Sequence, residues 1–362
     1  MLVHICCSVD SHFFLQKLQF LYPQKELIGF FYDPNIHPYS EYKLRLLDVQ
    51  RSCDKLGIKL IEGEYDFEGW LEAVKGLEDE PEKGKRCTVC FDNRLEATAK
   101  QAVKLGIKEI TTTLLTSPKK SLTQLKENAL HVEQKYSIHF ETPDFRINGG
   151  TQEQFALAKK DMLYHQNYCG CLFALSAQRE SQDRLKDELM SPITAQIQPS
   201  SIEDRICLYE DVIEHEKNDV KFKLKREKFL NYRLLSGRVT RAKKEPIESY
   251  ILFYSTLSRG QTKGKIEYIE DDIGYFNREE IIFLSIKKYN LLSKNSYQNV
   301  TEMMKNPPSI NEELNLRRNL SYSLVLSLNP IIIIDELELT KFEITIKAKT
   351  YMDVRENLVK IG

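Results

Sequence analysis

Six of the eight cysteines in this chain fall into three tight groups, and these groups are the part of the sequence best suited to chemistry. The groups are Cys6-Cys7, Cys87-Thr88-Val89-Cys90 and Cys169-Gly170-Cys171. A C-x-x-C unit spaces two thiolates to hold one metal ion or one edge of a cluster, and a second pair brought close by the fold completes a four-thiolate site. Cys6, Cys7, Cys87 and Cys90 are therefore the candidate ligands.

An iron–sulfur cluster suits these ligands better than a single zinc ion. Neighbouring side chains such as those of Cys6 and Cys7 diverge, which hinders tetrahedral coordination of one zinc ion, whereas a cluster with several iron atoms can take both. Zinc, or simple packing of the thiols in an apolar core, are the alternatives. For Cys53 and Cys207, packing is the preferred interpretation.

The third group, Cys169-Gly170-Cys171, differs in kind because only one residue separates its two thiols. A disulfide between them would close a very small, strained ring, and strained disulfides are easily reduced. Gly170 is expected to supply the backbone freedom that such a closure demands. The pair therefore suits electron transfer, although it can also act as extra metal ligands or stay unoxidised.

The run Cys6–Ser11 follows the first predicted strand and partly resembles the Ser-Gly-Gly-x-Asp-Ser loop of ATP pyrophosphatases. In that loop, glycines let phosphate approach the backbone closely, whereas this sequence has cysteines at those positions. The sequence therefore indicates that a metal binds in place of the nucleotide. Asp10 then lies beside the sulfurs, where it can ligate iron or move protons. Its alternative role is to cap the helix that follows.

The first half of the chain alternates short apolar runs with segments of helical periodicity, which predicts βαβ units and a parallel sheet. The predicted strands are Leu2–Cys6, Leu27–Tyr32, Lys59–Gly63, Glu109–Leu114 and Ile138–Thr142. The predicted helices are Glu41–Lys55, Leu95–Lys104, Leu122–Lys135 and Gln152–Tyr164. Gly57 and Gly106 follow helical patterns, as helix-terminating glycines do. The first cysteine pair thus lies where α/β sheets bind ligands, at the carboxyl end of a strand.

A domain boundary is expected near residue 195, which divides the chain into 1–195 and a smaller α+β domain, 196–362. The second part begins with a charged helical stretch, and its predicted strands are Ser249–Thr256, Lys265–Ile269 and Phe342–Lys347.

One basic run, Lys221–Lys244, holds ten lysines and arginines against one acid, with Phe222, Phe229 and Tyr232 interleaved. Such a surface can bind RNA phosphates and stack on bases, or it can be a solvated helix face.

Composition argues against several functional classes. The formal net charge of -1 gives no general attraction to nucleic acid or anionic lipid, so any basic surface must be local. The sequence predicts no membrane segment, because its longest apolar stretch is far shorter than a bilayer span. Without a secretory signal pattern, eight cysteines in a chain of this length indicate a cytoplasmic protein rather than a disulfide scaffold.

Several motifs of the first half resemble those of the cobalamin-independent epoxyqueuosine reductase family, QueH. They are His4-Ile5-Cys6-Cys7 with Asp10, the run Phe31–Tyr42, Arg86-Cys87-Thr88-Val89-Cys90, Arg94-Leu95, Thr111–Leu115 with Ser117-Pro118, Asp144-Phe145-Arg146 and Tyr168-Cys169-Gly170-Cys171. Ser8-Val9 departs from the small residue and proline expected there. The resemblance covers about half of the chain, because typical members end soon after the C-G-C triplet.

The resemblance implies a Rossmann-like enzyme that removes the epoxide oxygen of epoxyqueuosine at the wobble position of certain tRNAs, which is the last step to queuosine. It implies that Cys6, Cys7, Cys87 and Cys90 bind a [4Fe-4S] cluster and that Cys169 and Cys171 form a redox-active disulfide. It associates Asp10 with a second iron beside the cluster. The partners would be a tRNA and an electron donor of unknown identity.

Removing the oxygen requires two electrons and two protons. His37, Tyr39 and Tyr168 are candidate proton donors, although a structural role is preferred for each. An ATP-dependent iron–sulfur tRNA thiolation enzyme is the alternative among enzymes, and a non-catalytic, zinc-stapled RNA-binding protein is the alternative outside them.

Overall fold

The computed structural model describes residues 1–118, 120–166, 168–192, 196–241, 245–320 and 326–361. The chain divides into two compact units: the first comprises Met1–Lys186, Arg205–Lys225 and Leu358–Gly362, and the second comprises Asp187–Asp204 and Arg226–Asn357. The boundary expected near residue 195 falls within Asp187–Asp204, beside residues 193–195, which lie outside the described residues. It stays a prediction.

The first unit is built on five short strands and the helices between them. The strands are β1 (Leu2–Ile5), β2 (Ile28–Phe31), β3 (Lys59–Glu62), β4 (Glu109–Thr112) and β5 (His139–Phe140). The helices are α1 (Ser8–Leu21), α2 (Tyr39–Leu56), α3 (Phe67–Ala73), α4 (Lys85–Lys104), α5 (Leu122–Tyr136), α6 (Gly150–Lys160), α7 (Leu172–Ser181) and α8 (Ile202–Lys217).

All five strands pair in parallel, in the order β3-β2-β1-β4-β5, which confirms the predicted Rossmann-like α/β fold. Alternate residues of β1 point to opposite faces, as the pleat requires. Val3 and Ile5 therefore join one buried apolar cluster, whereas Leu2 joins another with Phe30 and Ile110. β1, at the centre of the sheet, is buried at every position, as expected for a parallel strand that is covered on both faces.

The predicted helices are present, with two differences that matter for the site. The predicted helix Leu95–Lys104 in fact begins at Lys85, so the C-x-x-C unit lies in its first turn. The predicted helix Gln152–Tyr164 ends at Lys160. Gly57 ends α2 with a φ of 65° and Gly106 follows α4 with a φ of 68°, which confirms their helix-terminating role.

The segment Arg205–Lys225 is tied to the first unit by specific contacts. Glu216 of α8 accepts hydrogen bonds from Arg51 Nη2 at 2.7 Å and from Lys55 Nζ at 2.9 Å, both on α2. Near the end of the chain, the backbone N–H of Ile361 donates to the carbonyl of Lys221 at 2.9 Å. The first unit therefore includes chain far beyond its sheet.

The second unit confirms the predicted α+β character. Its elements are β6 (Phe222–Arg241), β7 (Pro246–Ile247), β8 (Tyr250–Ile251), β9 (Gln261–Glu270), β10 (Ile273–Phe276), β11 (Ile282–Ser285), α9 (Ile286–Ser293), α10 (Val300–Lys305), α11 (Ile310–Leu320), β12 (Ile331–Ile334) and β13 (Lys341–Lys360). The strands form one sheet in the order β7-β6-β13-β9-β10-β11-β12-β8. The first residues of β6 and the last residues of β13 are grouped with the first unit.

Two predicted strands of the second unit lie inside longer ones, since Lys265–Ile269 is part of β9 and Phe342–Lys347 is part of β13. Of the predicted strand Ser249–Thr256, only Tyr250–Ile251 is a strand. No helix in the described ranges is both long enough and apolar enough to cross a membrane.

Candidate functional site

The site lies where the strand order of the first sheet reverses. β1 is flanked by β2 on one side and by β4 on the other, so the connections that leave β1 and β4 diverge to opposite sides. Such a switch point opens a crevice at the carboxyl ends of the strands. Cys6 directly follows β1 and Thr113 directly follows β4, and the Cys6 Sγ lies 3.7 Å from the Thr113 Oγ1.

Cys6, Cys7 and Asp10 form a close trio at this point. The two Sγ atoms are 3.9 Å apart, and the Cys6 Sγ is 3.9 Å from Asp10 Oδ2. One ligand atom from each of the three residues lies within 4.8 Å of the others, and all three residues are buried. Cys7 is the N-cap residue of α1, so the alternative role of Asp10 as the cap is wrong. Instead, Asp10 Oδ1 accepts a hydrogen bond of 2.6 Å from Gln154 Nε2.

Cys87 and Cys90 lie three residues apart in the first turn of α4, which places both thiols on one side of the helix. The Cys87 Sγ accepts the Lys83 backbone N–H at 3.2 Å, and this thiol is partly exposed. Cys90 is buried in an apolar cluster that also contains Trp70 and Cys171. Neither thiol joins the close trio of Cys6, Cys7 and Asp10. A multi-iron cluster, however, holds its thiolates farther apart than a single ion does.

The Cys169-Gly170-Cys171 triplet precedes α7, whose N-cap is Cys171. The His37 N–H donates to the Gly170 carbonyl at 2.8 Å, and Ile36 forms a β-bridge with Cys171. All the cysteines are free thiols in this structure.

The backbone freedom expected of Gly170 for disulfide closure stays a prediction; in this free-thiol structure Gly170 is not among the residues with a positive φ. Glycine is required there by space. An added Cβ would lie 3.1 Å from Ile36 Cγ1 and 3.2 Å from Arg45 Nη1, which is tighter than an ordinary contact.

A single cavity of about 760 Å³ in the first unit joins these elements. Its wall includes Cys6, Cys7 and Asp10 from the start of the chain and Cys169 from the C-G-C triplet. The guanidinium groups of Arg45 and Arg94 and the ammonium of Lys120 also line it. The structure therefore places the first cysteine pair and the C-G-C triplet around one space that is lined by both cations and carboxylates.

Three buried thiols of this site, those of Cys7, Cys90 and Cys171, have a raised pKa in the absence of metal. A hydrogen bond with Cys6, burial and the charge of Asp10 all raise the pKa of Cys7 well above its ordinary value. Burial raises the pKa of Cys90 to about 11 and also raises that of Cys171. A bound metal reverses this preference, because coordination requires the thiolate and lowers the pKa of the thiol.

Trp70 supports the presence of a thiolate at Cys90. The Trp70 side chain is fully buried, and its indole Nε1 has no hydrogen-bond partner among the described residues. Its neighbours in the apolar cluster include the thiols of Cys90 and Cys171, and a weak contact of its N–H with Cys90 acts to lower the pKa of that thiol, although burial outweighs that effect. A thiol accepts hydrogen bonds weakly, whereas a metal-bound thiolate accepts them well. The orphaned indole N–H thus fits a metal site that includes Cys90.

The three candidate proton donors have different surroundings. Tyr168 is buried and lines the cavity. Its hydroxyl donates to Glu41 Oε2 at 2.6 Å, so the hydroxyl proton is already engaged in a hydrogen bond. The ring of His37 stacks on Phe67, and burial lowers its pKa. Tyr39 is 50% exposed. Of the three, Tyr168 alone lines the cavity, and the structural role preferred for each of them stays a prediction.

The sequence analysis did not identify Arg45, Lys120 or Trp70 as functional residues. Arg45 lies one helical turn after Glu41 on α2, and its Nε donates to Glu41 Oε1 at 2.7 Å. Lys120 follows the Ser117-Pro118 motif at the end of β4. Arg45 and Lys120 lie within three residues of motifs already noted, and that proximity was the available signal, whereas Trp70 lies near none of them.

Comparison with known proteins gives a consistent result. Residues 1–177 match the family model described as "Epoxyqueuosine reductase QueH". The chain is 41% identical over 356 residues to epoxyqueuosine reductase QueH of Helicobacter pylori, which covers 93% of this chain and 94% of that protein. It is 38% identical over 176 residues to epoxyqueuosine reductase QueH of Acinetobacter baylyi, which covers 48% of this chain and 80% of that protein.

The Helicobacter pylori relative therefore shares the second half of the chain, beyond the part that the family model matches. Among solved structures, the U34-tRNA thiolase NcsA from Methanococcus maripaludis, with its [4Fe-4S] cluster, covers 59% of this chain and 73% of its own at a TM-score of 0.34 and 18% identity. That likeness is too low to support an argument about either fold or function.

Proposed function

The chain belongs to the epoxyqueuosine reductase QueH family, and on this premise we propose that it removes the epoxide oxygen of epoxyqueuosine in tRNA to give queuosine. The observation that carries the proposal is the single cavity onto which Cys6, Cys7, Asp10 and Cys169 converge. Two sets of redox-capable sulfur groups thus border one space large enough for a modified nucleoside side chain.

The electron count of the reaction matches the chemistry of the C-G-C triplet. Removal of the epoxide oxygen as water leaves a carbon–carbon double bond and consumes two electrons and two protons. Oxidation of the Cys169 and Cys171 thiols to a disulfide releases two electrons and two protons. We therefore assign these residues as the redox-active pair, which an external electron donor must return to the dithiol after each turnover.

We assign Cys6, Cys7, Cys87 and Cys90 as ligands of a [4Fe-4S] cluster. The paired thiols, the burial of Cys6, Cys7 and Cys90, and the orphaned Trp70 N–H support this assignment. When bound, the cluster would supply electrons one at a time and a Lewis-acidic iron. Asp10 lies close enough to Cys6 and Cys7 to be a further ligand, and a second iron at that position remains part of the proposal.

The cations of the cavity wall have a direct part in this proposal. Arg45 is held by Glu41, and Arg94 is held by an ion pair with Asp33. Lys120 is close enough to Cys87 and Cys169 that their charges contribute to raising its pKa, against the effect of its burial. These three cations offset the negative charge of clustered thiolates, which would otherwise be costly in a buried site.

The direct test is anaerobic purification, quantitation of iron and acid-labile sulfide, and turnover on tRNA that contains epoxyqueuosine. We expect iron and sulfide in similar amounts and queuosine as product. Cys87→Ala or Cys90→Ala should lose most of the iron, whereas the matched control Cys207→Ala should keep it, because Cys207 is exposed and far along the chain on α8. Protein loaded with iron and sulfide that fails to form queuosine would refute the function.

The same measurements separate the alternatives. A zinc-stapled RNA-binding protein would contain zinc without acid-labile sulfide. An ATP-dependent thiolation enzyme must bind ATP, whereas the reductase should not, and an ATP-binding assay distinguishes the two.

We place the reaction in the cytoplasm, where free cysteines remain reduced.

We also propose that exposed cations of β6 contact phosphates of the tRNA. Lys223, Lys225 and Lys228 are exposed along this strand. The basic run is a strand rather than the helix considered in the sequence analysis, and residues 242–244 lie outside the described residues. Of its aromatic residues, Phe222 and Tyr232 are buried, so neither can stack on a base. The proposed contact is therefore electrostatic.

Point substitutions test this contact better than deletion of residues after 195, because Arg205–Lys225 and Leu358–Gly362 belong to the first unit. The triple variant Lys223→Gln, Lys225→Gln and Lys228→Gln should weaken tRNA binding and flatten its dependence on salt. Its matched control replaces three exposed lysines of the second unit, Lys287, Lys294 and Lys305, with glutamine. Equal affinities and salt slopes for both triple variants would contradict the contact.

A further inference from the structure

Six side chains in the cavity wall have a buried polar atom without a hydrogen-bond partner among the described residues, and Asp33, Asn35 and Arg45 are three of them. The atoms of these three are Asp33 Oδ2, Asn35 Oδ1 and Arg45 Nη2. Asp33 is 1% exposed, and Asn35 and Arg45 are each 7% exposed. All three residues line the cavity of about 760 Å³. Buried polar atoms are nearly always satisfied, so such a group beside one cavity indicates that its occupant supplies the partners.

The kinds of atoms restrict what the occupant can be. Asp33 Oδ2 and Asn35 Oδ1 are hydrogen-bond acceptors, so they require O–H or N–H donors. Inorganic sulfide and thiolates carry no such donors, so the sulfur atoms of a cluster cannot satisfy these two atoms. Arg45 Nη2 is a donor and requires an oxygen or another acceptor. The occupant must present both donors and acceptors, as a hydroxylated ring does.

The position of these residues ties the occupant to the redox-active pair. Asp33 and Asn35 belong to the loop between β2 and α2, and that loop is bound to the C-G-C triplet through the His37 N–H to Gly170 carbonyl bond of 2.8 Å. Arg45 lies directly against Gly170, where an added Cβ would come within 3.2 Å of its Nη1. An occupant held by this wall therefore lies beside Cys169.

Resting on the function proposed above, we propose that Asp33, Asn35 and Arg45 bind the hydroxylated, epoxide-bearing cyclopentane ring of the substrate. The carboxylate of Asp33 and the amide oxygen of Asn35 accept hydrogen bonds from ring hydroxyls. Arg45 Nη2 donates to a ring oxygen. The ion pair of Asp33 with Arg94 and that of Arg45 with Glu41 leave the orphaned atoms available and fix both side chains. This wall positions the ring and selects a substrate that carries hydroxyls.

Asn35 gives the clearest test, because Asp33 and Arg45 also hold buried ion pairs. Asn35→Leu removes the acceptor with little change in volume, and Asn35→Asp retains an acceptor at the same place. With iron-loaded protein and epoxyqueuosine-containing tRNA, Asn35→Leu should lower kcat/KM by roughly 10-fold to 100-fold, since a substrate hydroxyl would be left unpaired in a buried site. Asn35→Asp should retain more of kcat/KM than Asn35→Leu.

A substrate analogue separates positioning from a merely structural role. On tRNA whose epoxide ring lacks the hydroxyls, wild type and Asn35→Leu should have equal kcat/KM, because the lost partner is absent from both. Iron content and the visible spectrum should be unchanged in the variant. A kcat/KM of Asn35→Leu within twofold of the wild-type kcat/KM on the natural substrate would overturn the inference. An equally large loss of kcat/KM for Asn35→Leu on the analogue would overturn it as well. Iron-loaded wild type that forms no queuosine would instead refute the proposed function.

Discussion

Replacing Arg94 with methionine should destabilise the first unit strongly, because it removes one partner of a buried ion pair. The Arg94 side chain is 5% exposed and that of Asp33 is 1% exposed. Arg94 Nε also donates to His4 Nε2 at 3.3 Å. Removal of one partner from such a pair leaves an uncompensated buried charge and costs roughly 3–5 kcal/mol of unfolding free energy.

The effect should depend on pH in a direction set by Asp33. Burial raises the pKa of Asp33 to about 6 from 3.8, and the charge of Arg94 opposes that rise. Without Arg94, the pKa should rise further. The folded state then holds this proton more tightly than the unfolded state, so the unfolding free energy falls as pH rises through the folded pKa. The difference in unfolding free energy between wild type and Arg94→Met should therefore be largest near pH 8 and should become smaller toward pH 5.

Urea unfolding of metal-free protein at several pH values measures this gap. The matched control is Arg241→Met, because the Arg241 and Glu338 side chains are 37% and 48% exposed and form the same type of pair in water. An exposed pair contributes at most about 1 kcal/mol, so the control should change little at any pH. A destabilisation by Arg94→Met that matches the control, or one that does not vary with pH, would refute the reasoning.

Three further predictions follow from single contacts. Trp70 is the only tryptophan, so assembly of the cluster should quench the tryptophan fluorescence of the protein. Trp70→Phe removes an N–H donor and should therefore make the reduction potential of the cluster more negative. An unchanged potential in an anaerobic titration would contradict the proposed hydrogen bond from the Trp70 N–H to the Cys90 thiolate. Gly170→Ala should lower the unfolding free energy by roughly 1–3 kcal/mol, because its Cβ would crowd Ile36 and Arg45; a stability equal to wild type in urea would contradict this. Burial raises the pKa of Glu313 to about 7, so stability of the second unit should fall as pH rises from about 4.5 to 7, and Glu313→Gln should abolish that dependence in pH-resolved thermal unfolding.

The architecture of the first unit could be predicted from sequence because its strands and helices are locally encoded. β1 and β2 are short, largely apolar and largely buried runs, and β1, β2 and β3 all coincide with predicted strands. The start of α4 was misplaced by ten residues because Lys85-Arg86-Cys87 lacks the apolar periodicity that marks a helix. α3 was missed because seven residues are too few to establish a period.

The site was predictable only where spacing carried the signal. Paired cysteines can be recognised from their spacing in the sequence. Tertiary packing, which no local pattern encodes, places Trp70, Arg45 and Lys120 in the site. Gly170 shows a related limit. The sequence indicates that glycine matters there, but only the neighbours at 3.1 and 3.2 Å show that the requirement is space rather than an unusual φ.

The way the chain returns to the first unit has a consequence for its synthesis. The sheet and the cysteine groups lie within the first 186 residues, but Arg205–Lys225 and Leu358–Gly362 complete the same unit. During synthesis, Arg51 and Lys55 therefore cannot contact their partner until Glu216 is made, and Lys221 cannot contact its partner until Ile361 is made. Domains generally fold as they emerge. Here the sheet of the first unit can form early, whereas the unit is completed only after residues 226–357 of the second unit have been made.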